Sequence, residues 1–137
     1  VINTVGVSIY ASPALARRAS RPGAKLDDLP WIMPPDEFRP TRFMWRTLKD
    51  EGIEPASIIA RSQFPDVIAN MCLEGRGVAV LFDHFAASGL ADGRIVKIGP
   101  QLPSTSRILL IGARAQRPAA QPAVDLFRQA TRTLATR

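Results

Sequence analysis

Ile58-Ile-Ala-Arg-Ser-Gln-Phe-Pro-Asp-Val-Ile-Ala-Asn-Met-Cys-Leu-Glu-Gly-Arg-Gly-Val-Ala-Val-Leu-Phe82 reads as strand, helix, strand. Ile58 to Ala60 is a short apolar run and Val78 to Phe82 is five apolar residues in succession, the pattern of strands buried on both faces of a parallel sheet. Between them Phe64, Val67, Ile68, Met71 and Cys72 recur at i, i+3, i+4, i+7 and i+8, which predicts one core-facing helical stripe. Pro65 suits the first helical position, and Gly75 suits the left-handed residue just past the end. Such a crossover should be right-handed. The first helical turn, around Ser62 to Asp66, then lies at the carboxyl end of the preceding strand, where open α/β sheets bind ligands.

Working outward, 137 residues suffice for one modest core or two small lobes. A hydrophobic content of 46% without any run near ~20 apolar residues predicts a soluble globular protein and excludes a membrane-spanning helix. No signal-peptide succession opens the chain, whose first residue is Val1. Cys72 is the only cysteine, so no internal disulfide forms, and a reducing cytoplasm fits. The net charge is +6 and the pI about 10.7. The arginines are nevertheless spread along the chain, and the groups Arg17 with Arg18 and Arg39 with Arg42 and Arg46 lack the aromatic interleaving of a single-strand groove. A solvated basic surface is expected ahead of a nucleic-acid face.

Before the opening stretch, Val5, Val7 and Ile9 alternate, predicting a strand from Thr4 to Tyr10. Ser12 and Pro13 cap and start a short helix to Ala19, Leu26 to Leu29 makes one helical turn, and Trp31 to Met33 is a strand halted by Pro34 and Pro35. Pro40 starts a helix with Phe43 or Met44 and Leu48 inward, ended by Gly52. Beyond the opening stretch, Asp83 caps a helix through Ala87 with Gly89 as its stop, and Arg94 to Ile98 forms a strand. Pro100 to Ser106 reads as a hinge, Arg107 to Gly112 as a strand, and Pro122 opens a last helix with Val124, Phe127, Thr131 and Leu134 on one face.

Little here specifies a reaction. Gly75 and Gly77 lie between helix and strand, the reverse of the order a phosphate-binding loop requires. His84 is the only histidine, so a metal cluster or a Ser-His-Asp arrangement would have to be built around it, and a surface or packing role is expected. Cys72 reads as an inert buried thiol, and the pairs Asp27–Asp28, Asp36–Glu37 and Asp50–Glu51 as solvated turn or helix-end residues. No catalytic residue, metal or cofactor is assigned, and the chain is not read as an enzyme. Two loops matter more, because both follow strands and would face one cleft: Pro34 to Phe38 and Ser62 to Phe64. A helix N-terminus with a hydroxyl, an amide and an aromatic ring offers anion capture beside an apolar wall, although capping at Ser62 and packing at Phe64 are equally open readings.

Tyr10-Ala-Ser-Pro-Ala-Leu-Ala16, Leu26-Asp-Asp-Leu-Pro30 before Trp31-Ile-Met, Phe43 through Gly52, Ser62 through Leu81 with Glu74-Gly-Arg-Gly-Val-Ala79, and Gly93-Arg-Ile-Val96 occur in that order. In this order and spacing, from about Val5 to Leu134, the chain resembles the C-terminal part of the effector-binding domain of LysR-type transcriptional regulators. The resemblance implies an α/β fold, the periplasmic-binding-protein-like (type 2) effector-binding domain. Residues 1–99 would be its second lobe, and residues 100–137 the hinge, strand and helix returning to the first lobe. The rest of that lobe and the helix-turn-helix would lie outside the chain.

By the same resemblance a small-molecule effector, expected to be an anion, binds between the lobes. Its contacts here would be Pro34, Pro35, Phe38, Ser62, Gln63 and Phe64, with Asp83 at the cleft edge where the family usually has a proline. The partners implied are that effector, DNA through the domain outside the chain, and further copies of the chain as a homo-oligomer, with no membrane. Alternatives are a solute-binding protein on the same fold, marked by an export signal, and less favourably an α/β enzyme built around His84 with Cys72 or Asp83.

Overall fold

Apolar strands alternating with amphipathic helices can bury both kinds of face by layering helices on a sheet. The computed structural model, which describes residues 3–107 and 118–135, folds in that way. In chain order it contains β1 (Asn3–Val5), β2 (Val7–Ala11), α1 (Pro13–Ala19), a 3-10 turn (Leu26–Asp28) and β3 (Pro30–Met33). A second 3-10 turn (Arg39–Thr41) runs into α2 (Arg42–Asp50), followed by β4 (Ser57–Arg61), α3 (Pro65–Leu73), β5 (Ala79–Phe82), α4 (Asp83–Ala91) and β6 (Val96–Ile98). Strand β7 (Thr105–Arg107), a third turn (Pro118–Ala120) and α5 (Gln121–Ala135) complete the described chain.

Strand β2 pairs antiparallel with both β5 and β6, and β3 pairs parallel with β4. A parallel bridge from Trp31 to Val78 joins the two groups. There the Ile32 N–H donates to the Val78 carbonyl at 2.8 Å and the Val78 N–H donates to the Pro30 carbonyl at 2.7 Å. The order across the sheet is therefore β4-β3-β5-β2-β6. Gly77 permits the approach of β5 to β3, since a Cβ there would lie 2.9 Å from both the Pro30 carbonyl oxygen and Ile32 Cγ1.

The sheet has a helix layer on each face. On one face Ile9, Trp31, Met33, Val78 and Val80 pack with Leu15 of α1 and Met44 and Leu48 of α2. On the other, Tyr10, Ile32, Ala79 and Leu81 pack with Ile68, Ala69 and Cys72 of α3 and Ala86 of α4. Each fully buried Leu or Met contributes about 1.5–3 kcal/mol. Trp31 is wholly buried, and its indole N–H donates to the Leu26 carbonyl at 2.8 Å.

Several expectations are corrected. Strands β4 and β5 are parallel, as read, but β3 lies between them, so among the described residues β4 is an edge strand and not one buried on both faces. The register runs Trp31 to Ile58 and then Ile32 to Ala60, leaving Ile59 as an extra residue without an opposite number. Ile58 consequently packs in one helix layer and Ala60 in the other, while Ile59 is 49% exposed. The core stripe of α3 is Ile68, Ala69 and Cys72; Phe64 and Val67 lie outside it, 57% and 41% exposed. Helix α4 runs past Gly89, which is buried against Leu73 and Ile95, and continues to Ala91.

The strand expected over Thr4 to Tyr10 is interrupted at Gly6. Beyond that break, β1 pairs antiparallel with β7 in a separate two-stranded sheet, and α5 packs against β1. The chain thus passes twice between the two sheets, at Gly6 and in the segment between β6 and β7. Of the strand expected over Arg107 to Gly112, residues 108–112 lie outside the described residues. Leu126 and Phe127 of α5 are 68% and 55% exposed.

Candidate functional site

Strands β4, β3 and β5 are neighbours and run in the same direction, so their carboxyl ends share one edge of the sheet. The segments expected to bind a ligand follow these strands directly: Pro34 to Phe38 after β3, Ser62 to Phe64 after β4, and Asp83 after β5. The first two are linked at their roots, where the Ser62 N–H donates to the Met33 carbonyl at 3.1 Å.

The β3 loop is held from beneath. Pro34 is fully buried, and its carbonyl accepts the Trp45 indole N–H at 3.0 Å. The Phe38 N–H donates to the Pro35 carbonyl, and the Thr41 hydroxyl donates to the Phe38 carbonyl. Pro35 and Phe38 are half-buried at the surface of this loop, so Pro34 shapes the site while they and their exposed neighbours face outward.

After β4, the Ser62 hydroxyl accepts the Phe64 N–H at 3.1 Å. Gln63 and Phe64 are exposed. Pro65 is the first residue of α3 and Phe64 caps it without a side-chain hydrogen bond. The N–H groups of Asp66 and Val67, in the first turn, have no acceptor among the described residues. Such groups carry the positive end of the helix dipole and suit an anion. Gln63, Pro65, Thr41, Phe82 and Phe85 line a cavity of only about 10 Å³, room for one water.

Asp83 is already engaged. The Tyr10 hydroxyl donates to its Oδ1 at 2.7 Å, Lys97 Nζ lies 3.9 Å from Oδ2, and its N–H donates to the Gly6 carbonyl. A Cβ on Gly6 would collide with the Asp83 carboxylate. The Asp83 carboxylate thus ties the head of α4 to Tyr10 of β2 and Lys97 of β6, while its backbone N–H holds the Gly6 break. Burial, reinforced by the Asp83 carboxylate, raises the Tyr10 hydroxyl well above its ordinary range.

The sequence offered no signal for two residues beside these loops. Arg61, the last residue of β4, stacks over the Trp45 ring at 5.4 Å and lies 3.8 Å from Asp36. Hydrogen bonding from Glu37 and from its own backbone, aided by Arg61, holds the exposed Asp36 carboxyl below the usual range. An Arg at a strand end looks like any solvated charge in sequence, and its contact with Trp45 is made across the fold. Among the described residues, no group of three or more His, Cys, Asp or Glu residues could hold a metal ion. The His84 ring packs against Phe82 and Phe85. Cys72 is wholly buried, and burial pushes its thiol up to about 12. No described helix is long and apolar enough to cross a membrane.

The LysR substrate binding domain profile matches residues 6–134. The effector domain of the transcriptional regulator AmpR of Pseudomonas aeruginosa is similar in structure, with a TM-score of 0.66 and 17% identity over 98% of this chain and 64% of that one. Full-length LysG from Corynebacterium glutamicum, with bound effector Arg, gives a TM-score of 0.70 and 15% identity over 94% of this chain and 44% of that one. The regulatory domain of HypT from Salmonella typhimurium gives 0.62 and 13% over 94% and 64%. At these identities the likeness is one of fold, the periplasmic-binding-protein-like α/β fold expected from the sequence. The chain spans less than two thirds of the length of each of these proteins. No curated protein matches it in sequence.

Proposed function

The chain belongs to the LysR substrate binding domain family, the effector-binding domain of LysR-type transcriptional regulators, and from that premise we propose that it senses a small anionic effector at the carboxyl edge of β4, β3 and β5. The supporting observation is the convergence there of two ligand-competent loops with the first turn of α3, whose Asp66 and Val67 N–H groups lack acceptors among the described residues. Ser62, Gln63 and Phe64 supply a hydroxyl, an amide and an aromatic wall; Pro35 and Phe38 would contribute from the neighbouring β3 loop, and Arg61 adds a cation that can exchange Asp36 for the effector.

In this reading residues 7–99 form the second lobe, and β1 with residues 100–137 belongs to a first lobe completed by chain outside this sequence. That lobe supplies the opposite wall of the cleft. Asp83, at the Gly6 break, fixes the angle at which the chain leaves the second lobe and is placed to couple cleft closure to it. The effector biases a pre-existing equilibrium between lobe and subunit arrangements, and so changes how attached DNA-binding domains meet their operator.

A thermal-shift screen of small carboxylates and aromatic acids on the full-length regulator tests this. A specific effector at ~100 times its dissociation constant stabilises by roughly 2.7 kcal/mol. The stabilisation should vanish when Gln63 is replaced by Glu, which sets a negative charge beside the open N–H groups. An effector that stabilises the Gln63→Glu variant equally well binds elsewhere and overturns the assignment.

A further inference from the structure

Phenylalanine is among the residues most often fully buried, yet the buried core contains none among the described residues. Five of the six phenylalanines gather instead at the carboxyl edge of β4, β3 and β5. Phe38 follows β3, Phe43 lies in the first turn of α2, Phe64 precedes α3, Phe82 ends β5 and Phe85 lies in the first turn of α4. Phe64 is exposed and the other four are half-buried.

Three of these rings are joined. Phe82 packs against Phe43 with centroids 5.9 Å apart and against Phe85 at 6.4 Å, each pair tilted by 42°. The His84 ring stacks on Phe82 at 5.7 Å and meets Phe85 at 4.6 Å. Pairs at these spacings and tilts attract one another, so the wall is set before a ligand arrives and little order is lost on binding. Phe82 and Phe85 also line the same small cavity as Gln63 and Pro65. The rings therefore adjoin the first turn of α3, whose Asp66 and Val67 N–H groups lack acceptors among the described residues. The far end of the wall is negative, because the partly exposed Asp83 carboxylate stands there, fixed by Tyr10 and Lys97.

Resting on the anion-sensing reading above, we infer that Phe82 and Phe85 set effector specificity, selecting a monocarboxylate with an aromatic body. The carboxylate takes the Asp66 and Val67 N–H groups, and the ring lies against the phenylalanine wall. Asp83 rejects a dicarboxylate of the same body, since a second anion carried across the rings meets its charge.

The test titrates the full-length regulator with acetate, benzoate and terephthalate at matched ionic strength, followed by amide chemical shifts so that weak binding is measured as well as tight. Benzoate should bind at least about tenfold more tightly than acetate, and terephthalate at least about tenfold more weakly than benzoate. Phe85→Leu should weaken benzoate at least about fivefold and leave acetate within about twofold, whereas Phe85→Tyr, which keeps the ring, should hold the wild-type ratio. Asp83→Asn should bring terephthalate to within about threefold of benzoate. Gln63→Glu, at the anion end shared by all three probes, should abolish their binding. Loss of benzoate in Gln63→Glu together with an unchanged benzoate-to-acetate ratio in Phe85→Leu would overturn this inference alone, while benzoate binding that survives Gln63→Glu would overturn the anion reading as well. Acetate or terephthalate binding the wild type as tightly as benzoate, or no saturable benzoate binding, would also overturn the inference.

Discussion

The contact between Tyr10 and Asp83 gives the most detailed prediction, because it joins the core of the sheet to the residue whose backbone N–H holds the Gly6 break. The Tyr10 side chain is fully buried, and its hydroxyl donates to the Asp83 carboxylate at 2.7 Å. A hydrogen bond to a charged group is worth about 1.5–3 kcal/mol. The Asp83 side chain is 36% exposed and lies near Lys97, so water partly replaces the lost donor in Tyr10→Phe, for an expected cost of about 1–2 kcal/mol.

Asp83→Ala should cost more, about 2–3 kcal/mol, since it strands a buried hydroxyl. For a chain of this size each kcal/mol lowers Tm by roughly 3–5 °C. Urea denaturation of the wild type, both single variants and the double variant should give a coupling energy of at least about 1 kcal/mol. The pH dependence has a defined sign. Because the fold raises the Tyr10 hydroxyl above its ordinary value near 10, its contribution is intact below about pH 10 and is lost as pH rises beyond it. Wild type and Tyr10→Phe should therefore converge in stability at high pH. A coupling energy within about 0.3 kcal/mol of zero, or parallel stability curves above pH 10, would refute the reasoning.

Other outcomes follow from single positions. Gly77→Ala should destabilise by about 1–3 kcal/mol in urea titration, because one of the atoms its Cβ meets at 2.9 Å is the Pro30 carbonyl oxygen and cannot rotate away. Cys72, buried and with its thiol pushed up to about 12, should react with a disulfide reagent at pH 8 at least about a hundredfold more slowly in the folded chain than in denaturant. The apolar residues Ile59, Phe64, Val67 and Leu126 are each more than 40% exposed, so light scattering should find the isolated chain self-associated. A monodisperse folded monomer would contradict that.

What could be read in advance followed from local chemistry. Ser12 accepting the Leu15 N–H, Pro65 opening α3 and Gly75 at φ +75° are short-range effects that residue type dictates. The buried run into β5 and the burial of Cys72 were legible for the same reason. The insertion of β3 between β4 and β5 was not, since strand order is set by pairings between distant segments. The extra residue at Ile59 follows from that pairing, and so do the exposed Phe64 and Val67, whose helical periodicity alone suggested core. At the site, position after a strand identified the loops, but the burial of Pro34 beneath Trp45, the Arg61 stacking and the clasp of Asp83 by Tyr10, 73 residues away, depend on tertiary contact.

The central claim, that the effector meets the carboxyl edge of β4, β3 and β5, is tested most directly by amide chemical-shift mapping. The probe is the small carboxylate that most raises Tm in the screen, titrated into the nitrogen-15-labelled full-length regulator. The account predicts saturable shifts concentrated at Gln63, Phe64, Asp66, Val67 and Phe38, with the Asp66 and Val67 amides moving downfield as they gain an acceptor. Saturable shifts confined to α1, β6 or the outer face of α2, with those five amides unmoved, would contradict it.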